Sequence, residues 1–135
     1  MKQPRFKLTV FSILIFSCIS LYAQDVKVKP TNTEIWTKNC NQHDKYYNEL
    51  IFTATQTGDK VSWVAKNRKE YISIFNGLVL DNEQKIKSRR DRILDLISKA
   101  QGGNSVIISK ELNQEVDALW EDILTKAKSI GIKCE

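Results

Sequence analysis

The sequence has little of the chemistry on which most enzymes depend. Its 135 residues include a single histidine and three cysteines. It lacks a Gly-x-Ser-x-Gly nucleophile turn, and Gly102-Gly103 is an isolated pair rather than a phosphate-binding loop, which needs further glycines and a following Lys-Ser/Thr. Glu121 and Asp122 are adjacent, so on a helix they diverge by about 100° and cannot flank one glycosidic bond. These absences predict a protein that is not an enzyme and needs no cofactor.

Metal-binding patterns are equally sparse. Cys40 and His43 are three residues apart and would share one face of a helix. Two ligands do not make a zinc site, however, and the second cysteine of the exported chain is the expected disulfide partner of the first. We therefore predict that the protein has no metal site and that His43 is an ordinary surface histidine.

A second long apolar run is also missing, which leaves the N-terminus as the only candidate for contact with a membrane. Lys2, Arg5 and Lys7 precede the nearly uncharged run 8–21, and Ala23 offers a small residue for cleavage. The run is shorter than the roughly 20 residues that span a bilayer, so it is typical of a cleaved signal peptide rather than an anchor. Residues 1–23 are thus expected to be removed, giving a secreted, extracellular protein with no membrane attachment.

Cleavage changes both the charge and the cysteine count. The whole chain has a net charge of +5, but the first 23 residues hold three basic residues and no acidic ones, so the mature chain is near +2. That is too weak a basic footprint to indicate nucleic-acid binding. Cys40 and Cys134 remain, and an even count in an oxidising compartment predicts a disulfide between them, with pairing to another chain as the alternative.

Apolar residues after Pro30 recur at helical spacing and predict an all-α domain over residues 33–135, preceded by a short extended lead-in at 24–32. Thr31 and Glu34 resemble a capping box at the start of a helix over about 32–57. Three more helices are expected, from Asp59 to about 79, over about 82–101 and over about 105–130. The favoured arrangement is an up-down bundle of four helices.

A long central helix is the alternative fold. Apolar residues recur every seven positions across the expected break at Asp81-Asn82, and an unbroken period of this kind favours one helix of about 42 residues. The fold would then have three helices. The repeating positions are Ala65, Ile72, Val79, Ile86, Ile93 and Ala100.

Basic residues dominate the middle of the chain and form the candidate binding patch. Residues 60–92 hold nine basic and four acidic side chains, while the last predicted helix has an acidic face. Two interpretations follow: the oppositely charged helices pair with each other, or the basic residues bind an acidic partner such as a receptor surface or an acidic glycan. Arg89-Arg90 is also a dibasic pair of the kind that processing proteases cut. The candidate patch comprises Lys85, Lys87, Arg89, Arg90, Arg92 and Trp63, the last as an aromatic anchor or as packing between helices.

The two ends of the mature chain resemble the small secreted helical proteins of insect male accessory glands, which enter seminal fluid. The resemblance lies in the signal ending at Ala23-Gln24, in Ile35-Trp36 followed by Asn39-Cys40-Asn41, and in the terminal Lys133-Cys134-Glu135. It implies a secreted, non-enzymatic role in reproduction and carries over no functional residue. From the sequence we expect a binding or effector protein acting on an extracellular partner. The alternatives are a salivary or venom-type inhibitor of a host protein and a carrier of a small apolar ligand.

Overall fold

The computed structural model describes residues 28–100 and 105–134, and within these ranges the chain forms helices and connections without a strand. Residues 31–135 make up one compact unit. The all-α prediction is confirmed, and so is the Cys40–Cys134 disulfide, whose Cα atoms lie 5.3 Å apart. The expected signal peptide, most of the lead-in and the helix stop at 102–104 fall outside the described residues. The helical elements are α1 (Asn32–Lys45), a π-helical segment (Tyr46–Ile51), α2 (Phe52–Thr57), α3 (Lys60–Lys66), α4 (Arg68–Asn76), α5 (Gln84–Lys99) and α6 (Ser105–Ser129).

The first predicted helix has its expected limits but not a uniform interior. The Thr31 hydroxyl accepts from the Glu34 backbone N–H at 3.2 Å, and Glu34 accepts from the Thr31 N–H at 2.9 Å, which is the expected capping box. Gly58 ends the run with a left-handed φ of 71°, a conformation that costs glycine little. Between these limits lies the π-helical segment, which the apolar spacing does not reveal.

The prediction of one continuous second helix is wrong, because the helix breaks at Asn67 into α3 and α4. Both the backbone N–H and the side-chain Nδ2 of Asn67 donate to the Trp63 carbonyl, at 2.8 and 3.3 Å. This local bonding ends α3 and shifts the phase of the buried face. Tyr71 and Ile74 are consequently buried, whereas Ile72, which was predicted to face inward, is half-buried.

The long central helix is wrong too, since residues 77–83 between α4 and α5 are not helical. The chain turns at Asp81-Asn82 as the favoured four-helix arrangement predicted, although α5 begins at Gln84 after an N-cap at Glu83 that makes no side-chain cap bond. Leu78 and Leu80 enter the core from this connection. Burying two leucine side chains stabilises the fold by about 3 to 6 kcal/mol, which offsets the helical hydrogen bonds lost at the bend.

Helix α6 is the element against which most of the others pack. It contacts α1, α3 and α5, while α4 contacts α5 and α1. The predicted inward residues of α6 are buried except Ile130, and those of α5 are all buried. The core thus runs along α6, and the disulfide ties the segment that follows α6 to α1. The buried residues of α6 are Leu112, Val116, Leu119, Trp120, Ile123 and Ala127.

Candidate functional site

An aromatic cluster surrounds the π-helical segment. Tyr46 is at its centre, with ring centroids 5.5 Å from Tyr71, 5.4 Å from Phe75 and 5.6 Å from Trp120. The π-helical hydrogen bonding accommodates an extra residue in the helix. Tyr46 and Leu50 are buried in this segment, and Tyr47 lies at the edge of the core. Segments of this kind are frequent at functional sites, which makes the cluster a candidate that sequence spacing alone misses.

His43 belongs to this cluster, and its predicted position on the open surface is wrong. Its side chain is only 13% exposed and its ring lies 4.6 Å from Tyr47 and 5.2 Å from Trp120. Its Nδ1 is 3.2 Å from an Asp44 carboxylate oxygen. Among residues 28–100 and 105–134, no group of three or more His, Cys, Asp or Glu side chains is placed to hold a metal ion.

The tyrosines of the cluster are held in their neutral form. Burial raises the pKa of Tyr46 well above its ordinary value, and neighbouring Tyr71 and Tyr47 add to the effect. Burial also raises the pKa of Tyr47, with a further contribution from the charge of Asp117. The pKa of Tyr71 is raised by burial and by Glu70. Neutral, tightly packed phenols suit a structural core better than proton transfer at neutral pH.

The basic residues predicted as a patch divide into two groups in the structure. Arg89 points toward α6, where its Nη1 lies 3.2 Å from Glu115 and its Nε lies 3.4 Å from Asp122, the latter without hydrogen-bond geometry. Arg92 also reaches Glu115, at 3.2 Å. These ion pairs agree with the interpretation in which α5 and the acidic face of α6 pair with each other.

The remaining patch residues are spread over different environments. Arg90 bonds to Asp91 at 3.0 Å and to the Leu78 carbonyl at 3.5 Å. Lys85 is exposed and Lys87 half-exposed, and neither forms an ion pair with a described residue.

Trp63 lies apart from these residues on α3, half-buried against the core, and α3 packs on α6. Its indole N–H is buried without a hydrogen-bond partner among the described residues. The half-buried position of Trp63 favours inter-helix packing. The cationic side chains of α5 that keep exposure are Lys85, Lys87 and Arg92, called here the cationic edge, with Lys87 about 200° around the helix axis from Lys85.

A polar clamp between α1 and the bend is a second feature that the sequence reading misses. Asn39 is fully buried, and its amide group forms two hydrogen bonds with Val79: Oδ1 accepts the backbone N–H at 3.0 Å and Nδ2 donates to the carbonyl at 3.3 Å. Beside it, a Cβ at Gly77 would lie 2.9 Å from Gln42 Nε2, so glycine permits the close approach of the two segments. Asn39 thus provides hydrogen-bond partners for the backbone N–H and carbonyl of Val79, which lies outside the helices.

A cavity of about 730 Å³, widely open to solvent, lies between α3, the end of α5 and the first half of α6. Small side chains line much of it, which is why facing helices leave the space unfilled. Apolar Val61, Ala65 and Ala100 line it together with polar groups from α3 and α6. The polar lining residues are Asp59, Ser62, Ser109, Lys110 and Asn113.

Comparison of the chain with protein-family models, curated proteins and solved structures finds no match. None of the helices in the described part of the chain combines the length and the apolar character needed to cross a bilayer. The candidate sites consequently depend on geometry alone.

Proposed function

We propose that the protein is a secreted, non-enzymatic binding protein that acts on an extracellular protein partner, in the reproductive setting that the accessory-gland resemblance implies. The signal-peptide pattern of residues 1–23 supports export, and the Cys40–Cys134 pair supports an oxidising destination. We also propose that α1–α2, α3–α4, α5 and α6 act as the four arms of an up-down bundle, which the packing of α6 on α1, α3 and α5 supports.

The observation that carries the binding proposal is the division of the basic residues of α5. The side chain of Arg89 is 26% exposed and lies beside two carboxylates of α6, so its charge is paired within the domain. Lys85 is exposed and Lys87 half-exposed, on different sides of α5, and neither has a described ion-pair partner. Arg92, seven residues from Lys85 and on the same side of the helix, is largely exposed although it reaches Glu115. Such an edge fits an acidic protein surface, with an acidic glycan as the competing partner.

Charge reversal on this edge tests the proposal. The secreted protein is labelled and applied to seminal fluid and the female tract tissue that receives it. Lys85→Glu combined with Lys87→Glu is expected to abolish retention, whereas Lys66→Glu, an exposed control on α3, leaves it intact. Equal retention by all three proteins would contradict the proposed surface. If the double variant elutes from heparin at the same salt concentration as the wild type, an acidic glycan is excluded as the partner of these two lysines.

Tissue of expression separates the first proposal from the salivary or venom-type inhibitor. Enrichment in the male accessory gland supports a reproductive role, and enrichment in a salivary gland supports inhibition of a host protein. Sequencing the N-terminus of the secreted chain tests export independently, since cleavage after Ala23 leaves Gln24 as the first residue.

Carriage of a small ligand is a second candidate function, and the cavity between α3 and α6 favours it. Its volume lies within the roughly 300 to 1,000 Å³ range of small-molecule sites. Native mass spectrometry of the protein purified from its secretion is expected to show a bound molecule. A mass equal to that of the unliganded mature chain would contradict the carrier function.

A further inference from the structure

The cavity between α3, α5 and α6 is lined by apolar side chains, its wall, and by polar side chains, its rim. Val61 and Ala65 lie four residues apart on one face of α3, and Ala100 ends α5 opposite them. Because two of these three side chains are alanines, the helices cannot fill the space between their axes. The wall can accept the hydrocarbon part of a ligand.

The rim carries one free positive charge. Lys110 lines the cavity, is exposed, and is in no ion pair with any residue the structure describes. The negative group at the rim, Asp59, is already engaged: its Oδ1 accepts the Ser62 backbone N–H at 2.9 Å and caps α3. Its charge is partly offset by the unpaired N–H groups at the start of α3.

Hydroxyl and amide groups complete the rim. Ser109 and Asn113 are four residues apart on α6 and therefore project from the same side of that helix as each other. They supply hydrogen-bond donors next to Lys110, and among the described lining residues Asp59 is the one that adds a negative charge. This arrangement favours a ligand head that accepts hydrogen bonds and carries a negative charge.

We propose that this cavity binds a small amphipathic anion, with its acyl or alkyl chain against Val61, Ala65 and Ala100 and its anionic head at Lys110. The inference rests on the carrier candidate and names the chemical class of its cargo. A chain of medium length suits a volume of about 730 Å³.

Titration calorimetry on the mature, disulfide-bonded protein tests the proposal with three probes. The probes share one alkyl tail and differ in the charge of the head group. These are decanoate, decanol and decyltrimethylammonium. Decanoate is expected to bind at least roughly tenfold more tightly than the cation, because one charge-assisted contact is worth about one order of magnitude. The preference is expected to shrink as salt is added.

Variants locate the binding. Lys110→Gln is expected to weaken decanoate roughly tenfold and to leave decanol unchanged. Lys128→Gln, an exposed lysine far along α6, serves as the matched control and changes neither. Two filling variants, Ala65→Leu and Ser109→Leu, each place a larger side chain in the cavity. Each is expected to abolish binding of both decanoate and decanol, and circular dichroism shows whether each variant remains folded.

Several outcomes would overturn the proposal. They are absence of decanoate binding, equal affinity for the cation, an unchanged decanoate affinity in Lys110→Gln, or full binding by a folded filling variant. The carrier function fails separately: if decanoate binds as expected but the secreted protein contains no ligand, the site stands and the carrier role does not. If the secreted protein contains a cationic or neutral ligand, the carrier role stands and the anionic class is wrong.

Discussion

Replacing Asn39 by alanine tests whether the clamp on Val79 decides the bend between α4 and α5. The substitution removes two hydrogen bonds, of 3.0 and 3.3 Å, from a fully buried side chain. Each bond contributes about 0.5 to 1.5 kcal/mol, and the unpaired backbone groups of Val79 add a further desolvation cost. We expect the free energy of unfolding to fall by about 2 to 4 kcal/mol, a large part of the roughly 5 to 15 kcal/mol typical of a domain.

Urea unfolding, followed by tryptophan fluorescence and far-ultraviolet circular dichroism, measures this loss with the disulfide intact. The thermal midpoint is expected to drop by about 10 to 20 °C. Asn41→Ala, an exposed asparagine on the same helix, is the matched control and is expected to cost less than about 0.5 kcal/mol. Hydrogen exchange at the Val79 amide should accelerate in Asn39→Ala and remain unchanged in the control.

An isosteric variant refines the test. Asn39→Asp keeps the oxygen that accepts from the Val79 N–H but places a second oxygen against the Val79 carbonyl. Burial and that carbonyl raise the pKa of the new carboxyl in the folded state, so the folded protein holds its proton more tightly than the unfolded chain. The deficit relative to wild type should therefore shrink as the pH is lowered from about 7 to 4. A deficit independent of pH, or an Asn39→Ala loss no larger than that of Asn41→Ala, would refute the clamp.

Three further predictions concern the helix interior, the disulfide and the tyrosines. Deleting Asn48 from the π-helical segment should leave a folded protein with an ordinary α-helix, whereas deleting Lys38, which is also exposed, should rotate buried residues out of the core. If circular dichroism shows the same loss of helix for both deletions, the π-helical segment does not hold an extra residue. Reducing Cys40–Cys134, which closes a separation of 94 residues, should lower the free energy of unfolding by about 4 to 5 kcal/mol, and two free thiols by non-reduced intact mass would show that the bond is absent. The folded-state pKa of Tyr71 is raised, so the contribution of its buried neutral phenol to the free energy of unfolding is complete below about pH 10 and is lost as the pH rises further. Tyrosinate absorbance should therefore appear together with unfolding. Ionisation of all tyrosines while the helices persist would refute the burial of Tyr71.

Features determined by neighbouring residues could be predicted from the sequence. The capping box at Thr31 needs only a side chain three residues away, and the buried face of α5 follows from one uninterrupted period. The Cys40–Cys134 pairing followed from the two cysteines that lie outside the predicted signal peptide. The ion pairs of Arg89 with α6 were foreseeable as charge complementarity between segments, although not which basic residue would turn inward.

The candidate site was much less predictable, because its residues meet only in three dimensions. The cavity joins α3 to α6 through side chains such as Ala65, Ser109 and Lys110, none of which has a distinctive local pattern. His43 looked like a surface residue because polar neighbours surround it in the sequence, whereas the fold places its ring against Tyr47 and, 77 residues along the chain, Trp120.

The sequence by itself determined that the described chain would be helical, that Cys40 and Cys134 would pair, and that a turn was available at Asp81-Asn82. Tertiary structure decided whether that turn would be used. The seven-residue period from Ala65 to Ala100 is compatible with one straight helix, and local propensity cannot exclude it. The bend is favoured because Leu78 and Leu80 reach the core and Asn39, 40 residues earlier in the chain, satisfies the backbone of Val79. Contacts over such a separation form only when the whole domain folds.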